Sequence, residues 1–234
     1  MNGPGRALPW WPDNDGKTEE AKSVAGRILS LIEEAERLRE AGDFLNALTA
    51  YRKAEKRARA TRDEVELLNC RLGKGHCLRL LGRFRQALSE YRAAEALARA
   101  QGDAYSAADA DVGHGMALRA LWDIPGALRV FRRAVNSYAA LDDEEGAAYT
   151  MWAMAGAERV RGGLVVARET FQEAHDCFEA QGDPKGVVYA LCGLGGVSRV
   201  MGRYEDSLAY YTEANTRLRK TPDRFGQAYS YCGR

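Results

Sequence analysis

The sequence predicts an all-α solenoid in which antiparallel pairs of helices stack along one axis. The first observation is a 40-residue repeat, whose copies have their turns near residues 42, 82, 122, 162 and 202 without insertions between them. The second is the spacing of apolar residues within each copy, which follows the 3.6-residue period of an α-helix. A unit of this size buries its apolar face only against its neighbours, so the repeat indicates one continuous array.

Residues 1–17 precede the repeats and are rich in proline and glycine, without helical periodicity. We expect them to form an extended or disordered arm. The arm contains two adjacent tryptophans, Trp10 and Trp11. Two interpretations are open: the pair packs on the flank of the first helix, or it is a docking segment that occupies a groove of this or another copy.

The array is expected to span residues 18–234, and each unit holds two helices, A and B. Helix A begins after an aspartate, because a carboxylate accepts hydrogen bonds from the unpaired amides of the first turn. These aspartates are Asp63, Asp103, Asp143, Asp183 and Asp223. Helix A ends at a glycine, which adopts the left-handed conformation without steric cost, and helix B then runs to the next aspartate. Trp122 replaces this glycine in the third unit.

Small residues recur in the middle of helix A. They are Gly75, Gly115, Ala155 and Gly195. Because glycine inside a helix costs about 1 kcal/mol relative to alanine, its recurrence predicts a close approach of the partner helix. Helix B carries an aromatic residue at a fixed distance after the turn. These aromatic residues are Tyr51, Tyr91, Phe131, Phe171 and Tyr211.

This combination of small residues, turn glycine and aromatic residue resembles the tetratricopeptide repeat, in a longer, 40-residue form. The resemblance covers residues 18–234 and implies a right-handed superhelix in which helix A lines a concave groove. Lys74 and His114 depart from the pattern, since they stand where the repeat usually has an apolar residue.

The sixth unit is incomplete, because residues 223–234 begin a helix A and stop before its partner. Arrays of this kind normally close with a polar capping helix, so we expect the sequence to be a fragment of a longer chain or an engineered one. The uncovered end of the array, or the Trp10–Trp11 arm, is a candidate surface for self-association.

Composition argues against several classes of function. A net charge of +1 gives no general attraction to nucleic acid, and no apolar run reaches the length of about 18 residues that a membrane span needs. The five cysteines form no Cys-x-x-Cys pair, and their odd number leaves one cysteine without a partner. This argues against both a zinc site and a disulfide framework, and it fits a reducing cytoplasm. The three histidines lie in different units and no catalytic motif is found, so we expect no enzyme activity, no metal and no cofactor.

One arginine recurs in the last turn of every helix A. If helix A lines the groove, as the resemblance implies, these arginines form a ladder beside an aromatic wall. The predicted peptide-binding residues are Arg39, Arg79, Arg119, Arg159, Arg199, Asn69, His76, Tyr149, Trp152 and Tyr189. Guanidinium groups match carboxylates and stack on aromatic rings, so the predicted ligand is an acidic peptide with an aromatic or aliphatic anchor.

A second explanation of the arginines stays open, because the helix dipole favours a cation in the last turn, where it can also pair with an acidic side chain of the next unit. The sequence thus predicts a scaffold that binds a peptide segment of another protein in its groove. The alternative is a regulatory or ligand-sensing module of a larger signalling protein or transcription regulator.

Overall fold

The computed structural model describes residues 19–219 and 224–233, which form eleven α-helices and no strand. The helices are α1 (Glu19–Glu40), α2 (Phe44–Thr61), α3 (Glu64–Leu80), α4 (Phe84–Gln101), α5 (Ala104–Ala120), α6 (Ile124–Ala140), α7 (Glu144–Arg161), α8 (Leu164–Gln181), α9 (Pro184–Val200), α10 (Tyr204–Leu218) and α11 (Arg224–Gly233). Within these ranges, no helix is both long enough and apolar enough to cross a membrane. The Trp10–Trp11 arm and Asp223 lie outside the described residues.

Every helix packs against the next one in the chain, which confirms the predicted all-α array of stacked pairs. Each odd-numbered helix also packs closely against the next odd-numbered one, whereas the even-numbered helices of the described part reach one another only through long side chains, such as Arg133 of α6 and Glu95 of α4. The odd-numbered helices, which are helices A, therefore form the inner layer of a curved array. The even-numbered helices form its outer layer.

Aspartates begin successive helices A, as their recurrence predicts. The side chains of Asp63, Asp103 and Asp143 each accept a hydrogen bond from the backbone amide three residues later, at 3.2, 3.0 and 2.8 Å. Asp183 accepts one from the amide of Lys185 at 2.9 Å. These bonds satisfy amides that have no partner within the first turn of the helix, and they fix where α3, α5, α7 and α9 begin.

The turns between helices A and B each place one residue in the left-handed conformation. Gly82 has a φ of 73° and Gly202 a φ of 76°. Trp122 adopts the same conformation with a φ of 65°, and its side chain is 76% exposed. The left-handed conformation costs a residue with a Cβ about 1–2 kcal/mol, so the third turn is strained.

One buried aromatic ring from each helix B is held between two successive helices A, and we call this contact an aromatic joint. Tyr91 of α4 is fully buried. It lies against Gly75 of α3, where an added Cβ would be 2.7 Å from the ring, and against Gly113 of α5, where a Cβ would overlap the ring. The predicted close approach in helix A is therefore confirmed.

The second half of each joint is a small residue that was not among the predicted small residues of helix A. It recurs at the same 40-residue period, at Gly73, Gly113, Ala153, Gly193 and Gly233. At each of the four glycines in this set, an added Cβ would overlap the ring of the preceding helix B. The period alone could have revealed them.

Lys74 departs from the repeat pattern, and the structure supplies a physical reason why it is tolerated. Its side chain is almost fully buried, and its Nζ lies 2.7 Å from a carboxylate oxygen of Glu55 and 2.7 Å from one of Glu90. Arg71 also pairs with Glu90, at 2.6 Å. A buried ammonium is stable only when it is paired, and carboxylates from the two neighbouring outer helices provide the partners.

Candidate functional site

The predicted arginine ladder runs along the inner layer, but its members have different surroundings. At the first position, the Arg39 Nε donates a hydrogen bond to Glu36 at 2.9 Å, and a second guanidinium nitrogen contacts the same carboxylate. The Tyr51 hydroxyl donates to Glu36 as well. Arg39 is thus held by a carboxylate of its own helix and not by one of the next unit, which is the partner that the structural explanation of the arginines named.

At the second position of the ladder, Arg79 lies beside a contact between an aromatic ring and an imidazole ring. Arg79 contacts the Tyr91 hydroxyl, which lies 3.1 Å from His76 Nδ1. Desolvation, together with the positive charges of Arg79 and Arg39, lowers the pKa of His76 to about 3. The imidazole is therefore neutral at physiological pH and offers hydrogen bonds rather than charge.

The third and fourth arginines lie across glycines of the following inner helix. Arg119 Nη1 donates to the backbone carbonyl of Ala153 at 3.1 Å, and a Cβ on Gly156 would overlap this nitrogen. Arg159 is placed in the same way over Gly196, where an added Cβ would lie 3.4 Å from its Nη1. The missing side chains of α7 and α9 leave the space in which these guanidinium groups lie.

The predicted aromatic wall forms one cluster. Trp152 lies between Tyr149, with ring centroids 5.6 Å apart, and Tyr189, with centroids 5.8 Å apart. Its Nε1 donates a hydrogen bond to the backbone carbonyl of Tyr189 at 3.1 Å. Trp152 is partly buried and also packs against three apolar clusters of the core, so it supports the fold as well as the groove.

A cavity of about 360 Å³ opens where these two features meet. It is lined by Arg119, Trp152, Gly156, Arg159, Val160, Phe171, Tyr189 and Gly193. Four of these residues belong to the predicted site, and they come from three successive inner helices. None of the described residues that line the cavity carries a carboxylate, so its polar surface is cationic.

The other predicted residues lie elsewhere on the array. Tyr149 reaches the cavity only through its contact with Trp152. Asn69 donates a hydrogen bond to Glu66 of its own helix at 3.1 Å, and Arg199 has an exposed side chain. Together with Arg39, Arg79 and His76, these residues are not among those that line the cavity.

Two glycines of the lining, Gly156 and Gly193, were not predicted as part of the site. Gly193 receives the ring of Phe171, whereas Gly156 leaves room for Arg119. A glycine in the middle of a helix is costly unless something approaches closely, and that cost is the signal that could have identified both positions.

No protein-family model matches the chain, and no curated protein matches it either. Several solved structures do. The Rap conjugation gene regulator of plasmid pLS20, in complex with the Phr* peptide, has a TM-score of 0.80 at 15% identity, over 97% of this chain and 63% of that chain. A Rap protein complexed with competence and sporulation factor has a TM-score of 0.79 at 14% identity, over 86% of this chain and 56% of that chain.

A thermophilic TPR protein of Thermus thermophilus has a TM-score of 0.68 at 16% identity, over 88% of this chain and 98% of that chain. The chain thus spans nearly the whole of one neighbour and about three fifths of the two Rap proteins. At these identities the likeness concerns the fold. The chain has the tetratricopeptide-repeat-like superhelical fold, as shown by its stacked helix pairs, its inner layer of A helices and these structural neighbours.

Proposed function

We propose that this array binds a peptide segment of another protein, and that the segment is acidic with an aromatic or aliphatic anchor. The observation that carries the proposal is the cavity between α5, α7 and α9, where two guanidinium groups from successive units face an aromatic wall. Cationic and aromatic surface at one site favours a ligand that combines a carboxylate with an apolar group.

The contrast with the outer layer supports a ligand role for the cavity arginines. On the outer side, Arg71 and Lys74 are matched by carboxylates of neighbouring helices. The Nε atoms of Arg71 and Arg159 are both buried without a hydrogen-bond partner, but in the cavity no carboxylate of the described residues pairs with Arg159. A buried donor without a partner costs about 1–3 kcal/mol, and a ligand carboxylate would remove this cost.

The aromatic rings of the cavity favour a peptide with an apolar anchor as the ligand. The space beside Gly156 and Gly193 is filled by the Arg119 guanidinium and the Phe171 ring, so the rings of the wall are the surface left for a ligand. The Trp152 and Tyr189 rings then provide the surface on which an apolar anchor can pack, and aromatic anchors of this kind often contribute about 2 kcal/mol or more to binding. The Rap structure in complex with the Phr* peptide is a neighbour of the same fold and supports the choice of a peptide.

The alternative function is a regulatory module of a larger signalling protein or transcription regulator. One observation favours it: a neighbour that covers 97% of this chain is described as a conjugation gene regulator, and this chain spans 63% of it. In that case the same cavity senses its ligand on behalf of a further domain.

The test measures the affinity of the chain for two fluorescein-labelled peptides of about ten residues, one acidic with a central tryptophan and one basic with the same anchor. We expect the acidic peptide to bind and Arg159→Ala to weaken it about tenfold at low salt. Arg52→Ala, which removes an exposed arginine of α2, is the matched control. Raising the salt to about 0.5 M should reduce the difference, because exposed charges are screened over about 10 Å at 0.1 M.

Trp152→Ala should weaken binding more than any single arginine change, and its melting curve has to be recorded as well, since the indole also packs in the core. Equal affinity for the two peptides, or an effect of Arg159→Ala no larger than that of Arg52→Ala, would rule out the proposed recognition of carboxylates.

A further inference from the structure

Glu95 of α4 and two residues of α5, Asp111 and His114, form a second polar cluster, at the boundary between the second and third units. Each offers one ligand atom, and these three atoms all lie within 4.8 Å of one another. Asp111 and His114 are three residues apart, so they share one face of the helix. Asp111 is almost fully buried, at 2% exposure, and the cluster lies at the junction of an outer and an inner helix.

The imidazole of His114 is incompletely satisfied. Its Nδ1 is buried and makes no hydrogen bond. An imidazole nitrogen beside two carboxylates is a donor set that suits zinc and related divalent ions.

The corresponding junction of the preceding unit shows what this cluster replaces. Forty residues earlier, the three positions are Glu55, Arg71 and Lys74. There the Lys74 ammonium is a cation built into the chain, and it lies between carboxylates. At the later junction an aspartate and a histidine stand in place of the arginine and the lysine. The later junction therefore has groups that can bind a metal ion at the positions where the earlier junction has cationic side chains.

In the structure, the carboxylates of the cluster are held by side chains that reach in from outside. Arg133 of α6 donates to Asp111 at 2.6 Å and pairs with Glu95 at 2.8 Å, and Arg99 pairs with Glu95 at 3.0 Å. The side chains of Arg133 and Arg99 are 46% and 57% exposed. The carboxylates themselves are largely buried and need a cation, so a divalent ion has to take the place of the guanidinium group when Arg133 turns towards solvent.

We propose that Glu95, Asp111 and His114 bind a divalent transition-metal ion, with Zn²⁺ as the best fit, in competition with the guanidinium group of Arg133. The ion would take one nitrogen and two carboxylate ligands and keep a further position for water. The expectation of no metal was drawn from the spacing of the cysteines and from the separation of the histidines, and neither considers a site built from one histidine and two carboxylates. Bound metal would join α4 to α5 and thereby stiffen the boundary between the second and third units.

The test titrates the whole chain with Zn²⁺ in competition with a chelating dye, and follows the melting temperature in parallel. We expect binding to the wild type and a rise in its melting temperature. His114→Ala should weaken binding at least about tenfold, the scale seen for perturbed metal sites. His175→Ala is the matched control, because this histidine also lies beside two acidic residues, Asp176 and Glu179, but on the outer surface.

Arg133→Met separates the proposal from a purely structural role of the cluster. Removing the competing guanidinium should tighten Zn²⁺ binding several-fold, while the metal-free variant melts below the wild type and Zn²⁺ restores the loss. The proposal is overturned if the wild type and Arg133→Met both fail to bind Zn²⁺. It is equally overturned if His114→Ala, shown to be folded by circular dichroism, binds as tightly as the wild type.

Discussion

Lys74 shows how a charged residue can occupy a position that Met154 and Leu194 fill in the fourth and fifth units. Its partners, Glu55 and Glu90, belong to α2 and α4, and only the stacking of units brings them to the same place. The sequence pattern marked Lys74 as a departure, but it could not supply these partners, because the pattern describes one unit at a time.

We expect Lys74→Met to destabilise the chain by about 3 kcal/mol at pH 7, since it leaves Glu55 and Glu90 buried with fewer cations. Burial alone would raise the pKa of Glu55, but its hydrogen bonds with Lys74 and Arg59, together with the positive charges of Lys74 and Arg71, outweigh burial and leave the pKa below its usual value of 4.5. Such a carboxylate stabilises the fold above its unfolded-state pKa, and this contribution is lost as the pH falls through the folded-state pKa.

In the variant we expect the pKa of Glu55 to shift upwards instead, because the carboxylate is buried without Lys74. Protonation of Glu55 then removes the cost of burying its charge. The difference in melting temperature between wild type and Lys74→Met should therefore shrink between pH 7 and pH 4. This difference can be measured by thermal unfolding monitored with circular dichroism. Lys56→Met, on the exposed side of α2, is the control and should change little at either pH. A difference that grows towards pH 4 would contradict the assignment.

The candidate site could be predicted only in part at the scale of single residues. The repeat identified the arginines and the aromatic cluster, and four of the ten predicted residues line the cavity. The repeat could not tell Arg39, which is held by Glu36, from Arg159, which lies over Gly196. That difference depends on one non-repeated side chain beside each arginine.

Helix boundaries were the part of the structure most accessible to sequence reasoning. α3 begins directly after Asp63 and ends two residues before Gly82, because the capping carboxylate and the left-handed glycine act locally. The same reasoning did not anticipate left-handed residues at the other ends of the outer helices, where Arg62 and Asp142 take that conformation with φ of 56° and 53°. Neither residue type signals this conformation strongly, unlike glycine.

Trp122→Gly should stabilise the chain by about 1 kcal/mol, because glycine removes the steric cost of the left-handed turn and the exposed indole has little contact to lose. Urea unfolding is a suitable measurement. Gly82→Ala, at the same turn position of the preceding unit, should destabilise by a similar amount, since an added Cβ there meets nothing within 4 Å and only the backbone is strained. If Trp122→Gly proves less stable than the wild type, the indole must make stabilising contacts that outweigh its backbone strain.

At the scale of the whole molecule, the described helices contact only their first and second neighbours along the chain. Stability in such an array is a sum of local terms, so damage at one unit need not spread to the others. The overall fold was predictable for the same reason. Each unit has the same pattern of capping aspartate, turn residue and buried aromatic residue, and five copies of this pattern identify the fold more specifically than one copy would.

Gly113→Ala tests this locality, because its Cβ would overlap the buried ring of Tyr91. We expect a loss of about 1–3 kcal/mol, as for other overpacked cores. Hydrogen exchange should accelerate in α4 and α5 and stay unchanged in α9 and α10. Gly26→Ala is the control: it lies in α1 with nothing within 4 Å of an added Cβ, and it should stabilise by up to about 1 kcal/mol. Uniform acceleration in every helix would mean that the array unfolds as a single unit.

The aromatic joints also carry a mechanical consequence. The curvature of a solenoid is the sum of small rotations between successive units, and each rotation here is set by one ring between two inner helices. The first two rings are tyrosines whose hydroxyls bond to Glu36 and His76, and these bonds fix each ring against the inner layer. Phe131 and Phe171 have no hydroxyl, so shape alone sets the rotation at their joints. Phe171 borders the cavity, and the pitch of the superhelix is therefore least constrained beside the place where we expect its ligand to bind.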